Sequence, residues 1–277
     1  MGLKKACQLL LIKQGRGYFI LLNLYLSIIC CCYRIIQRLD KLFKLILFII
    51  YYMKTKLEVC IDNLAGLEAC IKGNADRIEL CSSLIHGGLT PTIDLMKQAS
   101  DIEIPIRIMI RPKSGNFYYS SSDLKQMKND IDTARFFGFE GVVFGATLVN
   151  GGIDQAFLEK LVAHAFGLKK TLHRAIDTIS EPFEAVDIAA NLGFDCILSS
   201  GGFKTANDGL SVLKKMHAKA MGRIEVMPGS GINPKNAKKI AKSSNFNWLH
   251  SSCSSLFENS SFTDTNKIIS IKNEINY

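Results

Sequence analysis

The stretch "ADRIELCSS", Ala75 to Ser83, alternates charged and thiol side chains with aliphatic ones. Successive side chains of a strand point to opposite faces, so Arg77, Glu79 and Cys81 share one face, and the isoleucine and leucine between them share the other. Strands of a parallel sheet are usually apolar on both faces. This segment therefore indicates a fold in which one face of each strand carries polar chemistry and the other packs against a core.

The segment "KLEVCIDN", Lys56 to Asn63, repeats this alternation with Glu58 and Cys60 on one face. A short helical stretch over residues 64–72, which a glycine follows, separates it from the strand above. A strand, a helix and a second strand in this order predict two neighbours in a parallel sheet. In that arrangement Cys60 and Cys81 face the same space.

From Met53 onward, short β-branched runs alternate with longer amphipathic stretches, which is typical of repeated βα units. The strand candidates are "KLEVCI", "DRIEL", "IPIRIMIR", "GVVFG", "KKTLHRA", "FDCILSS", "RIEVMPG" and "NWLHSS". Eight such units over about 220 residues predict a (β/α)8 TIM-type barrel over residues 53–277. A doubly wound open sheet is the alternative, but the first strand is not followed by the Gly-x-Gly-x-x-Gly turn of that fold.

A barrel explains the polar strand faces, because one face of each strand points into the barrel and active sites form at its C-terminal mouth. By the same alternation, Arg111 ends the third strand on the inner face, His173 ends the fifth and His250 lies on the eighth. The interior is therefore expected to collect acids, bases, thiols and imidazoles.

Residues 1–52 form a hydrophobic, basic extension that carries +7 of the formal net charge of +9. Its longest uncharged run, residues 18–33, is shorter than the roughly 20 residues of a membrane-spanning helix. Two interpretations stay open: a misassigned start upstream of Met53, or a membrane-associating segment. A membrane partner is predicted only if this extension belongs to the native protein.

The rest of the chain is nearly neutral, so a nucleic-acid partner is not predicted. Five of the nine cysteines lie in this part, widely spaced and odd in number, which favours free thiols in a reducing compartment. A cytoplasmic location is expected. A homo-oligomer is compatible with the sequence.

The inward charges allow two interpretations. The first is an ion-pair network of Glu58 and Glu79 with Arg77 and Arg111, since buried charges are costly unless paired. The second is that these side chains bind a substrate. His173 precedes Arg174, and Asp177 follows four residues later. His173 can therefore serve as a general base that the Asp177 carboxylate orients, or as a structural group. In the first interpretation Arg174 and Asp177 also lie near the ligand. His250 is a weaker candidate for the same mouth. The catalytic candidates are His173, Glu58 and Glu79.

Two glycine-rich loops follow the sixth and seventh strands, "SSGG" at Ser199 to Gly202 and "PGSG" at Pro228 to Gly231. Glycine lets backbone N–H groups approach a ligand, and the helix start behind such a loop favours an anion. The alternative is that short βα loops need glycine only for the turn. The anion-binding candidates in these loops are Ser200, Gly201, Gly202, Gly229 and Gly231.

Eight motifs together resemble the copper homeostasis protein family CutC over roughly residues 56–255. They are "LEVCIDN", "ADRIELCSS", "GGLTPT", "IMIRPKSGNFYYS", "GVVFG", "LHRAID", "LSSGG" and "VMPGSGI", in the order and spacing of that family. The resemblance implies a (β/α)8 barrel, a cytoplasmic protein active in copper tolerance, and Cu(I) binding at Cys60 and Cys81. Thiolates are soft ligands that suit Cu(I), whereas buried free cysteine is also a common core residue.

Two functions are therefore predicted. The first is a copper homeostasis protein that binds Cu(I) as a non-enzymatic carrier. The second is a barrel enzyme that acts on a small anionic metabolite, whether phosphorylated or not.

Overall fold

The computed structural model describes Ile29, Tyr33 and residues 35–44, 54–257 and 260–276. It divides into two compact units, Met1–Met53 and Lys54–Tyr277. The described residues of the first unit are helical. No helix among the described residues is both long and apolar enough to cross a membrane. The two interpretations of residues 1–52 otherwise concern residues outside the described part.

The second unit alternates eight parallel strands with eight helices and is the predicted (β/α)8 barrel. In chain order these elements are β1 (Lys56–Ile61), α1 (Leu64–Gly73), β2 (Arg77–Leu80), α2 (Ile93–Ala99), β3 (Ile106–Met109), α3 (Ser121–Phe136), β4 (Gly141–Phe144), α4 (Gln155–His164), β5 (Lys169–Leu172), α5 (Pro182–Leu192), β6 (Cys196–Ser199), α6 (Leu210–Ala220), β7 (Glu225–Pro228), α7 (Ala237–Ser243), β8 (Trp248–Ser251) and α8 (Thr265–Asn276). The hydrogen-bonded order runs from β7 back to β1 and then to β8, which lies beside β7 and nearly closes the ring.

The strand register places the polar side chains inside the ring. Glu58 of β1 lies opposite Arg77 of β2 and His250 of β8, and Cys60 lies opposite Glu79. The alternate residues of β1 are fully buried in the apolar core between the strands and the helices. The predicted division into an apolar outer face and a polar inner face is confirmed.

Helices α1 and α3 begin at residues whose side chains satisfy free backbone N–H groups. The Asn63 side chain accepts a hydrogen bond from the Gly66 N–H at 2.8 Å at the start of α1, and α3 begins with a capping box formed by Ser120 and Asp123. Helix α6 begins only at Leu210, because residues 201–209 form turns after the end of β6. The resulting loop lies at the barrel mouth.

Three short elements were not predicted from the sequence. They are the 3-10 helices Leu84–His86 and Arg174–Thr178, and the antiparallel hairpin of β9 (Ser254–Phe257) and β10 (Ser260–Thr263). All three follow the C-terminal ends of strands, at β2, β5 and β8. They therefore belong to the mouth of the barrel.

Gly141 of β4 has no room for a side chain beside β5. A Cβ at this position would lie 2.3 Å from the Lys169 carbonyl oxygen, a contact that only displacement of the strand relieves. We expect Gly141→Ala to lower the free energy of unfolding by about 2 kcal/mol, the scale of overpacking a closed core. Urea unfolding followed by circular dichroism measures the effect. Gly152→Ala is the control, since its added Cβ would meet no atom closer than 3.4 Å; equal losses in the two variants would contradict this account.

Candidate functional site

The C-terminal ends of the strands open into a cavity of about 760 Å³. Its wall includes Cys60, Glu79, Arg111, His173 and His250, which come from five different strands or strand ends. Inward-facing side chains from separate strands meet here because the parallel strands all end at the same rim. The cavity is large enough for a small metabolite.

A buried charge network lies on the inner faces of β1, β2 and β8. Glu58 forms an ion pair with Arg77, and its second oxygen lies 3.9 Å from His250 Nε2. Burial by itself would raise the pKa of Glu58, but Arg77 and His250 together hold that pKa below its usual value. The ion-pair interpretation of these inward charges is therefore supported for Glu58 and Arg77.

Arg77 faces away from the proposed ligand position. Its guanidinium stacks over the Trp248 ring at 3.7 Å and bonds to Glu58, and it does not line the cavity. Contact between Arg77 and a ligand stays a prediction, and the guanidinium is already engaged by Glu58 and Trp248. Its charge instead balances the carboxylate beneath the mouth.

Three side chains could hold a metal ion in the cavity wall. One donor atom each from Cys60, Glu79 and His250 lies within 4.8 Å of the other two, and all three residues are buried. His250 Nε2 is 3.0 Å from one Glu79 oxygen, while the other Glu79 oxygen has no hydrogen-bond partner among the described residues. Although burial opposes its charge, Cys60 and Glu79 raise the pKa of His250 well above its usual value. When His250 is protonated, its imidazolium supplies the positive charge that a metal cation would otherwise bring to this cluster.

Cys81 lies beside this cluster without belonging to it. Its Sγ is 3.7 Å from Glu79 Oε2, and its side chain packs against Met109 and Val143. Burial, followed by the charge of Glu79, raises the pKa of its thiol well above the usual value. Joint binding by Cys60 and Cys81 stays a prediction. The structure instead brings His250 close to Cys60, a pairing that the strand alternation did not indicate.

The environment of His173 differs from that of a general base. Its Nδ1 accepts a hydrogen bond from the Ala175 N–H at 3.2 Å, and its Nε2 has no partner among the described residues. Burial, followed by the charge of Arg111, lowers the pKa of His173 to about 3. The imidazole is therefore neutral and carries its hydrogen on Nε2, so it can donate a hydrogen bond but is poorly suited to accept a proton.

Asp177 does not orient His173, contrary to the prediction from its spacing. The 3-10 helix after β5 turns its carboxylate toward the loop after β6, where it accepts from Ser199 Oγ at 2.6 Å and from the N–H groups of Ser200 and Gly202. Arg174 donates to the same carboxylate at 2.8 Å. The "SSGG" loop is thus an anion cradle, but the anion it holds is the chain's own aspartate. An external ligand at Ser200, Gly201 and Gly202 would have to displace it.

The glycines of the "PGSG" loop have structural reasons to be glycine. A Cβ on Gly229 would lie 2.4 Å from Leu198 Cδ1 and 3.3 Å from the His250 side chain. Gly231 has a φ of +71°, a conformation that side chains disfavour. Gly231 also lines the cavity. Its contact with a ligand stays a prediction, whereas Gly229 leaves the space in which His250 lies.

Comparison with known proteins identifies the family of this barrel. The CutC family profile matches residues 55–255. A CutC family protein of Sinorhizobium medicae is 48% identical over 198 residues, which cover 72% of this chain and 81% of the relative. Another, from Caulobacter vibrioides, is 45% identical over 196 residues, covering 71% of this chain and 80% of the relative.

Solved structures agree with the sequence relatives. The crystal structure of a CutC protein from Streptococcus agalactiae, described as a candidate copper homeostasis protein, has a TM-score of 0.68 and 30% identity, covering 72% of this chain and 98% of its own. A thiamine phosphate pyrophosphorylase from Pyrococcus furiosus has a TM-score of 0.54 at 15% identity, covering 81% of this chain and 97% of its own. The second likeness shows the barrel fold alone.

The contacts of Asp177 lead to a prediction about stability. Asp177→Asn removes the charge that the loop after β6 and Arg174 surround, and it replaces one acceptor oxygen by a donor. We expect the free energy of unfolding to fall by about 2 kcal/mol, the scale of buried hydrogen bonds to a charged group. Chemical denaturation measures it. Asp187→Asn is the control, because its ion pairs with Lys219 and Arg223 lie on the surface and its loss should leave the unfolding midpoint nearly unchanged. An Asp177→Asn variant as stable as this control would contradict the cradle interpretation.

Proposed function

The chain belongs to the CutC family, and on that premise we propose that it is a copper homeostasis protein that binds Cu(I) at the barrel mouth. The observation that carries this proposal is the convergence of Cys60, Glu79 and His250 on the cavity wall. Copper is the cargo in this role, bound for storage or transfer. The five free, buried cysteines of the barrel suit a reducing compartment such as the cytoplasm.

The donor chemistry of the cluster fits copper. Thiolate is a soft ligand that favours Cu(I), and imidazole is a common copper ligand. Glu79 adds a buried carboxylate oxygen without a hydrogen-bond partner, which a cation would stabilise. Cys81 supplies a second sulfur close to Glu79 that a small side-chain movement could bring to the same ion.

The network beneath the cluster positions His250 for this role. Glu58 is held by Arg77 and lies 3.9 Å from His250 Nε2, and the Gly229 backbone packs against the imidazole on another side. Loss of a group that orients a metal ligand typically lowers metal affinity by about 10- to 100-fold. Glu58 and Arg77 therefore act as positioning residues in this proposal.

An enzyme acting on a small anionic metabolite is a second proposal, and the cavity of about 760 Å³ with Arg111 in its wall favours it. The position of His173 does not support the base that this function was predicted to use, since its free nitrogen carries a hydrogen. Acid–base chemistry would have to come from Glu79 or His250, which the copper proposal uses as ligands. Copper binding is therefore the function we place first.

Removal of the Cys60 sulfur tests the copper site. We expect the full-length Cys60→Ala protein to bind one equivalent of Cu(I) fewer than the wild type in competition with a colorimetric Cu(I) chelator. Cys70→Ala is the matched control, because Cys70 is also a buried thiol but lies in the core on α1. The remaining cysteines contribute equally to the copper bound by all three proteins, so the site is measured by the difference in Cu(I) equivalents between each variant and the wild type. Equal copper stoichiometry in the wild type and Cys60→Ala would contradict the proposal.

Copper retention should depend on pH through His250. The raised pKa of His250 means that a proton must leave before Nε2 can bind metal. We expect the Cu(I) affinity of the site to keep rising as the pH increases above the usual histidine pKa of about 6.5, because His250 holds its proton beyond that pH. The same chelator competition at several pH values measures this trend, with His250→Asn as the comparison. An identical pH dependence in that variant would show that His250 does not take part.

A further inference from the structure

Arg111 is a buried cation without an anionic partner. Its side chain is 4% exposed and lines the cavity, and no carboxylate forms an ion pair with it in the described part of the chain. One terminal nitrogen donates to the carbonyl oxygens of His86 at 2.9 Å and Gly88 at 3.1 Å, and the other donates to that of Gly115 at 2.9 Å. Its Nε has no hydrogen-bond partner among the described residues. Burial raises the pKa of Tyr119 to about 12, and the Arg111 guanidinium lies close enough to the Tyr119 hydroxyl to oppose that rise. Carbonyl dipoles offset a full charge only partly, so this arrangement favours an external anion.

His173 supplies a second free donor on the same wall. It is 3% exposed, lines the cavity, and keeps its Nε2 without a partner. A Cβ on Gly145 would lie 2.7 Å from His173 Nδ1, so the glycine leaves the room that the imidazole occupies. Phe117 contacts both residues: its ring centroid lies 4.8 Å from the Arg111 guanidinium carbon and 4.9 Å from the His173 ring centroid.

We propose that Arg111 and His173 form a subsite that binds the carboxylate group of a small organic acid in the cavity. A carboxylate carries one charge and two acceptor oxygens, which matches one unpaired guanidinium and two N–H groups without partners. A phosphate monoester carries about −1.5 to −2 charge and three acceptor oxygens, which exceeds one guanidinium and two N–H groups. The Phe117 ring presents an apolar surface to the carbon skeleton of such an acid.

The charges around the cavity separate this subsite from the proposed copper site. On the copper side, the carboxylates of Glu58 and Glu79 face Arg77 and His250, so the charges there are balanced. On the side of Arg111, the positive charge is not balanced. The acid is therefore expected to bind whether or not copper is present, and the inference goes beyond the proposed copper function.

Nuclear magnetic resonance of histidine nitrogens observes the subsite directly. In the metal-free, full-length protein labelled with ¹⁵N-histidine, we expect His173 to show the neutral tautomer with hydrogen on Nε2. Addition of pyruvate or acetate should shift this Nε2 signal saturably, whereas the neutral amide acetamide should leave it in place. An equal shift with acetamide, or tighter binding of inorganic phosphate than of both carboxylates, would overturn the assignment.

Variants test the same subsite by calorimetry. We expect His173→Ala to weaken pyruvate binding about tenfold or more, the effect of losing one hydrogen bond to a charged group. His164→Ala removes a histidine from α4, outside the cavity wall, and should bind as the wild type does. If His173→Ala does not fold, His173→Gln keeps an N–H donor and should bind with intermediate affinity. Unchanged pyruvate affinity in a folded His173 variant would overturn the proposal. Loss of copper with intact pyruvate binding in Cys60→Ala would show that the carboxylate subsite is independent of the copper site.

Discussion

Two carboxylates lie inside the barrel, and the arrangement of the mouth depends on how their charges are balanced. Glu58 and Glu79 leave water on folding, which is costly unless each faces a cation. Arg77 forms an ion pair with Glu58, and the Trp248 ring covers its guanidinium. His250 Nε2 lies near both carboxylates. The same constraint places the imidazole of His250 beside the Cys60 thiol, since β8 pairs with β1. The proposed copper site is thus a consequence of charge balance in a closed ring of strands.

The loops after β3, β5 and β6 differ in charge from the proposed copper site. There the chain's own carboxylate, Asp177, fills the loop that could have held an external anion. Arg111 instead binds backbone carbonyls and so fixes the loops after β2 and β3, while its charge remains without a counter-ion among the described residues. One part of the cavity wall can therefore accept a cation and another an acid. A cavity with this polarity could hold a metal and an organic acid side by side, which connects the two functions predicted from the sequence.

Much of this architecture could be predicted from the alternation of residues along the strands. The polar face of β1 and β2 indicated both the barrel and the inward position of Glu58, Cys60 and Glu79, because the side-chain period of a strand is two. The partner of Cys60 could not be predicted in this way. Cys81 looked equivalent to it along the chain, whereas His250 becomes its neighbour only when β8 closes the ring beside β1.

The role of Asp177 shows the same limit. Four residues after His173 it suggested a carboxylate that orients an imidazole, but a 3-10 helix starts at Arg174 and turns it toward β6. Loop direction depends on tertiary contacts that strand alternation does not encode. The most direct test of the account is a crystal structure of the Cu(I)-loaded protein with anomalous data at the copper edge. The account predicts a copper peak bound by Cys60 and His250 in the barrel mouth, and a loaded protein with no copper peak in that cavity would contradict it.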